Sequence, residues 1–363
     1  MSLSRKTSHD LFSSASTRTR RGTRTAYDDR KVKATLIIGS ATAALAVVTL
    51  AAQRTSDQAG RDSSETSRQS RRIELKVRAV SVDPRDPNRT RLGRFEYAGG
   101  LQLETLNTDR LHGLSDLRVG SDRHLVAIGD QGVLLEATLD LDTKGHLRGL
   151  SEVQLSPLLD TNGRPVVNKQ RADAEGLAVL ADGNRLISFE RDHRIWLYSA
   201  TGGRPWREVP KPDARLPSNQ GFEALTAYRA AGDDAYLVGA ESGRLWICHL
   251  ASRCRSLPSR ALPGPGFGLS GMASYGATGV ALLYRAYDLA RGARAVLRLI
   301  DRPLNAGGAP VDELVLDRPL ISDNFEGVAI VGDSDQMFRL YLLSDDNASA
   351  QQHTYLLAFD WRR

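Results

Sequence analysis

Short apolar or alternating runs, each closed by Gly, Asp or Asn, recur from residue 73 onward and set the reading of this chain. His124-Leu-Val-Ala-Ile-Gly, Arg185-Leu-Ile-Ser-Phe, Ala235-Tyr-Leu-Val-Gly, Gly279-Val-Ala-Leu-Leu-Tyr and Phe338-Arg-Leu-Tyr-Leu-Leu are of this kind. They are too short and too rich in turn residues at their borders for helices, and no long amphipathic helix interrupts them, so the pattern predicts strands.

Each run follows a near-copy of one element. Ser322-Asp-Asn-Phe-Glu-Gly-Val-Ala, Asp173-Ala-Glu-Gly-Leu-Ala and Gly221-Phe-Glu-Ala-Leu-Thr-Ala are the clear copies. Leu111-His-Gly-Leu-Ser-Asp-Leu and Leu269-Ser-Gly-Met-Ala-Ser-Tyr are looser ones. Marked at Gly113, Gly176, Ala224, Gly271 and Gly327, the element recurs at steps of 63, 48, 47 and 56 residues. Periods of about 40 to 60 residues with several strands each predict an all-β chain folded as a β-propeller. Ile73 to Leu106 adds further strand material, such as Leu101-Gln-Leu-Glu, so the expected number of blades is six, with five or seven as alternatives. A pair of β-sandwiches would not generate the repeat.

The head differs in kind. Residues 34–52 form an uncharged run rich in Ala, Leu, Ile and Val, preceded by Arg30, Lys31 and Lys33. About twenty residues of helix span a bilayer core, so the run predicts a transmembrane helix or signal anchor, or a signal segment cleaved near Ala51. Positive charge before the run keeps residues 1–33 cytoplasmic and exports the rest, either anchored at the inner membrane or secreted. Residues 53–72 are polar and nearly free of large apolar side chains, which predicts a disordered tether before a domain at 73–363.

Charge follows the same division. Residues 1–33 carry a balance of +6, residues 53–72 carry +2 and the remainder carries −2. The basic pI near 9.4 thus belongs to the head. It does not point to a nucleic-acid partner for the domain. The two cysteines, Cys248 and Cys254, flank a predicted turn. They form a bridge if the domain is exported, or remain two free thiols.

Candidate chemistry starts from the repeat. The first strand of each blade lines a propeller's channel, and Glu175, Glu223 and Glu326 hold one place in three copies, with His112 and Ser270 there in two others. Carboxylates gathered on one axis repel unless a cation or basic groups neutralise them, and hard oxygens suit calcium or magnesium. Asp345 and Asp346 extend the acidic set, while Arg191, Arg194 and Arg285 add cations suited to an anionic ester. The chain has no Gly-x-Ser-x-Gly elbow, no His-Glu-x-x-His pair and no Walker loop. Cys254-x5-Arg260 carries Leu257-Pro258 where a phosphate-cradling loop needs small residues.

Asp173-Ala-Glu-Gly-Leu-Ala, Phe189-Glu-Arg-Asp-His-Arg, Ser322-Asp-Asn-Phe-Glu-Gly-Val-Ala and Ser344-Asp-Asp-Asn followed by Leu356-Leu-Ala-Phe resemble the exported bacterial phytase-like, or esterase-like activity of phytase, family. The resemblance runs over residues 108 to 361 and departs at Ala348 and Ala224. It implies a β-propeller hydrolysing phosphate or carboxylic esters with calcium. The expectation is a metal-activated water, a cation on Glu175, Glu223, Glu326, Asp345 and Asp346, and an anion steadied by Arg191, Arg194, Arg285 and His112. Glu175, Glu326 and Arg191 are the catalytic candidates. The alternative is a non-catalytic propeller that binds a cell-envelope ligand through the same mouth.

Overall fold

The computed structural model describes residues 70–217, 220–301, 309–332 and 336–363. The leader, the apolar run 34–52 and the tether up to residue 69 lie outside them. Among the described residues no helix is long and apolar enough to cross a membrane.

Five antiparallel sheets form the blades of a propeller. Their inner strands are Leu114–Val119, Ala174–Val179, Ala224–Ala227, Gly268–Tyr275 and Asn324–Gly332, and each packs against the inner strands of the blades on both sides. These strands are buried along most of their length, whereas outer strands such as Leu75–Ala79 and Ser252–Leu257 expose most positions. Strands covered on both faces become near-continuous apolar runs, and only outer strands keep alternation.

Among the described residues the expected sixth blade is not formed; there are five. Phe95–Thr105 pairs with Thr354–Arg362, and Leu75–Ala79 pairs with Phe95–Thr105, so the N-terminal strands complete blade 5. Two physical reasons favour this. The outer edge of Thr354–Arg362 carries backbone N–H and C=O groups that need partners. The N-terminal segment also lacks the repeat element that would line the channel. Phe95 stacks on Trp361 at 6.5 Å and Tyr97 meets Phe359 edge-on at 5.4 Å, which buries the joint. Arg71 and Arg72, expected at the end of the tether, pair with Leu155 and Gln154 at the edge of blade 1.

The repeat element is a β-bulge at the start of four of the five inner strands. The ladder slips at Ser115, Glu175, Ser270 and Glu326, and Glu223 stands in the same place just ahead of its strand. The extra residue of a bulge leaves the ladder and turns its side chain elsewhere. The blade 1 equivalent of the repeat glutamates is therefore Ser115 and not His112. Gly113 is a turn glycine with φ +66 against the Asp130 carboxylate.

The next residue in each copy explains the conserved small size within this chain. A Cβ on Gly176 would lie 2.7 Å from the Leu225 side chain, and one on Gly271 would lie 2.3 Å from the Glu326 backbone oxygen. Inner strands approach each other too closely at the hub for side chains there. Blade 1 instead carries Asp116 at this place, fully buried. Its Oδ1 accepts from Arg118 at 2.9 Å and its Oδ2 accepts from the Leu177 amide of blade 2 at 2.8 Å. The Arg118 guanidinium donates to the carbonyls of Val328 and Met272 at 3.0 Å, and also to Leu225. The channel is plugged there.

Cys248 and Cys254 are bridged across the hairpin of blade 3, with Cα atoms 4.1 Å apart.

Candidate active site

Above the plug, on the face where the inner strands begin, a cavity of about 170 Å³ opens. Eight carboxylates line it, from Asp130, Asp173, Glu175, Glu190, Glu223, Glu241, Glu326 and Asp345, against three cations, Lys169, Arg191 and Arg285. The bulges deliver Glu175 and Glu326, and Glu223 comes from the residue just ahead of its inner strand; Arg285 and Asp345 sit on the second strands of blades 4 and 5, and Lys169 on a short helix.

The cations are committed to particular acids. Arg191 Nε donates to Asp173 Oδ2 at 2.5 Å, from a tight loop in which Arg191 and His193 both have positive φ. Lys169 Nζ donates to Asp173 Oδ1 at 2.5 Å and also to Asp130. Arg285 faces Glu326 Oε1 at 3.3 Å and donates to Asn324 Oδ1 at 3.0 Å. Asn324 in turn donates to Glu326 Oε1 at 2.8 Å. Among the described residues Glu223 accepts only the Gly221 amide, at 3.0 Å.

Burial and mutual repulsion hold five of the acids, Glu175, Glu190, Glu223, Glu326 and Asp345, well above the usual carboxylate range. Glu223 and Glu326 are pushed up to about 7 by burial, with Arg285 pulling both the other way. Glu190 reaches about 7 through burial and its hydrogen bond to Asp173. Asp345 reaches about 8 through burial and the charge of Glu326. Glu175 is raised by burial and then by Glu223 and Glu326. Arg285 is held protonated by Glu326.

One oxygen each from Asp173, Glu175 and Glu190 lies within 4.8 Å of the others, and no other such group occurs among the described residues. Ligands on opposite sides of a calcium ion at about 2.4 Å stand about 4.8 Å apart, so this spacing and the all-oxygen donor set fit a hard divalent cation. The tightest triad thus takes Glu175 from the repeat and its partners from neighbouring loops. Glu223, Glu326 and Asp345 line the same cavity farther round the ring.

Other candidates lie elsewhere. His112 is 2.9 Å from Asp346, which also accepts from Thr354 at 3.2 Å, and neither lines the cavity. Arg194 lies over the rings of Phe189 and Trp196, at 3.8 and 4.1 Å, and bonds Asp192. Lys169 and Asp173 are the positions that repeat reasoning passed over. Their i, i+4 spacing just after the capping Asn168, whose side chain accepts from Gln170, is the local signal for them.

A five-bladed propeller with a plugged hub and an acidic, arginine-edged mouth is the class that fold and site define. The chain belongs to the family described as phytase-like (esterase-like activity of phytase), whose model matches residues 109–348. A search of the curated proteins finds no match to the chain.

Proposed function

We propose that this protein is an exported, cation-dependent hydrolase of phosphate or carboxylic esters, working at the acidic mouth. The convergence of Asp173, Glu175 and Glu190 carries the reading, because three hard oxygens at this spacing beside two arginines make a place for a cation and an anion together. Asp173, Glu175 and Glu190 would hold a calcium ion. Bound there, the ion supplies Lewis-acid polarisation of an ester oxygen and of water.

The chain's own groups do the rest. Arg285 and Arg191 present guanidinium forks to the anionic part of the ester and fix its orientation. Glu326, which lines the same cavity outside the triad and is pushed up to about 7, would accept a proton from the attacking water and return it to the leaving alcohol. No side-chain nucleophile is required. Export is supported by the Cys248–Cys254 bridge, which is the mark of an oxidising compartment. The apolar run 34–52 supplies the membrane anchor in this reading.

The test is to titrate the purified full chain with calcium while following thermal stability, and to assay nitrophenyl phosphate and nitrophenyl acetate. Calcium-dependent turnover that disappears in Glu175→Gln/Glu190→Gln is the expected result. A calcium shift with no turnover of either ester would leave a binding propeller and overturn the hydrolase.

A further inference from the structure

The acidic mouth is continuous with a larger cleft. A cavity of about 510 Å³ between blades 4 and 5 shares Glu241, Arg285 and Asn347 with it. Its walls come from the hairpin tip after Gly279–Asp288 and from the loops around residues 322–324 and 347–352.

Its chemistry differs sharply from that of the mouth. The walls are rich in side-chain amides and hydroxyls, which can both donate and accept. Asp323 on the wall is consumed by the amides of Asn324 and His353, at 2.8 and 3.0 Å. The Gln351 side-chain amide and the Arg318 guanidinium have no hydrogen-bond or ionic partner among the described residues, the Gln351 backbone N–H alone being bonded, to Ser349. Tyr287 stands at the rim with 69% of its surface exposed, and its ring has no aromatic neighbour among the described residues.

An exposed aromatic face beside the uncommitted Gln351 side chain and a guanidinium matches a ring that carries hydroxyls at its edge and C–H groups on its face. A peptide would instead need a free strand edge or deep apolar pockets. We propose that this cleft is the subsite for the alcohol portion of the substrate, and that this portion is a sugar. The inference rests on the hydrolase reading for the word substrate, but the sugar site stands on the cleft alone. The ester's anionic group lies against Arg285 where the two cavities meet, and the sugar ring extends outward along Gln351 and Arg318 to Tyr287.

Two measurements on the full chain separate the claims. Saturation-transfer NMR with maltose is expected to show transfer to the sugar ring protons, lost in Tyr287→Ala and weakened in Gln351→Ala. With calcium present, the Tyr287→Ala/Gln351→Ala variant is expected to raise KM for glucose 1-phosphate by about tenfold while leaving kcat/KM for nitrophenyl phosphate unchanged. Absence of transfer to maltose in the wild type, or transfer unaltered in both variants, overturns the sugar subsite whatever the ester assays show. Tyr287-dependent maltose binding without turnover of either ester supports the subsite and overturns only the hydrolase.

Discussion

Asp116 and Arg118 lie two residues apart on the inner strand of blade 1, bonded at 2.9 Å, and together they reach all five blades. Asp116 holds the Leu177 amide of blade 2, and Arg118 holds carbonyls of Leu225, Met272 and Val328 in blades 3, 4 and 5. The pair occupies the space that the small residues of the other four copies leave open. Burial outweighs these bonds on the acid, whose carboxyl is pushed up to about 6.

Breaking this pair is expected to be costly. Arg118→Met leaves Asp116 buried without its cation, and should destabilise the propeller by about 3–5 kcal/mol in urea denaturation. Asp116→Gly/Arg118→Met, which gives blade 1 the residue found in blades 2, 4 and 5, should recover a substantial part. A single variant as stable as the wild type would show that the hub does not depend on the pair.

Gly271→Ala places a Cβ against the Glu326 backbone, where nothing flexible can yield. A loss of about 1–3 kcal/mol is expected by chemical denaturation. Ala224→Gly, at the equivalent place in blade 3, should cost less, because the spacing there already accommodates a methyl group.

Without divalent cations, stability should fall as the pH rises. Glu190, Glu223 and Glu326 stand at about 7 in the fold against 4.5 for the ordinary group, and Asp345 at about 8 against 3.8. Between those values the folded protein binds more protons than the unfolded chain, so the slope of stability with pH is negative. Their contribution is complete below about pH 4 and lost through about pH 7–8. Urea midpoints in EDTA at about pH 5 and about pH 8.5 check this, with the lower midpoint expected at the higher pH.

Calcium should reverse that loss. At about a hundred times its dissociation constant a ligand adds about 2.7 kcal/mol to the native state, and the thermal midpoint should rise accordingly. The gain should grow with pH, because the carboxyls must release protons to bind. Glu175→Gln/Glu190→Gln should abolish the shift and flatten the pH profile. A shift retained in full would place the cation elsewhere.

Reduction of Cys248–Cys254 opens a short loop, a sequence separation of 6. Chain-entropy reasoning puts the cost at about 2 kcal/mol, and Cys248→Ser/Cys254→Ser should show it as a lower urea midpoint with the fold retained.

The propeller itself was legible along the chain, because an outward-turned residue followed by Gly or Ala recurs in four of the five strands that reach the hub. The repeats of Glu175, Glu223 and Glu326 could be aligned by eye for that reason. Blade 1 could not. Its Gly113 sits three places early and serves a turn, while Ser115 and Asp116 fill the bulge and hub positions. Only packing against Leu177 and Val328 reveals the register.

Blade number was beyond the sequence because strand material at Phe95–Thr105 carries no mark of which edge it joins; that follows from the unpaired side of Thr354–Arg362. The acids of the mouth were visible as a repeat, yet the tightest triad was not. Asp173, Glu175 and Glu190 converge because the chain leaving one strand and the loop ending the next meet at the same rim. Local pattern determines which strands can line an axis. Which side chains share a cavity there depends on how the loops between those strands are held, and that is decided only when the ring closes.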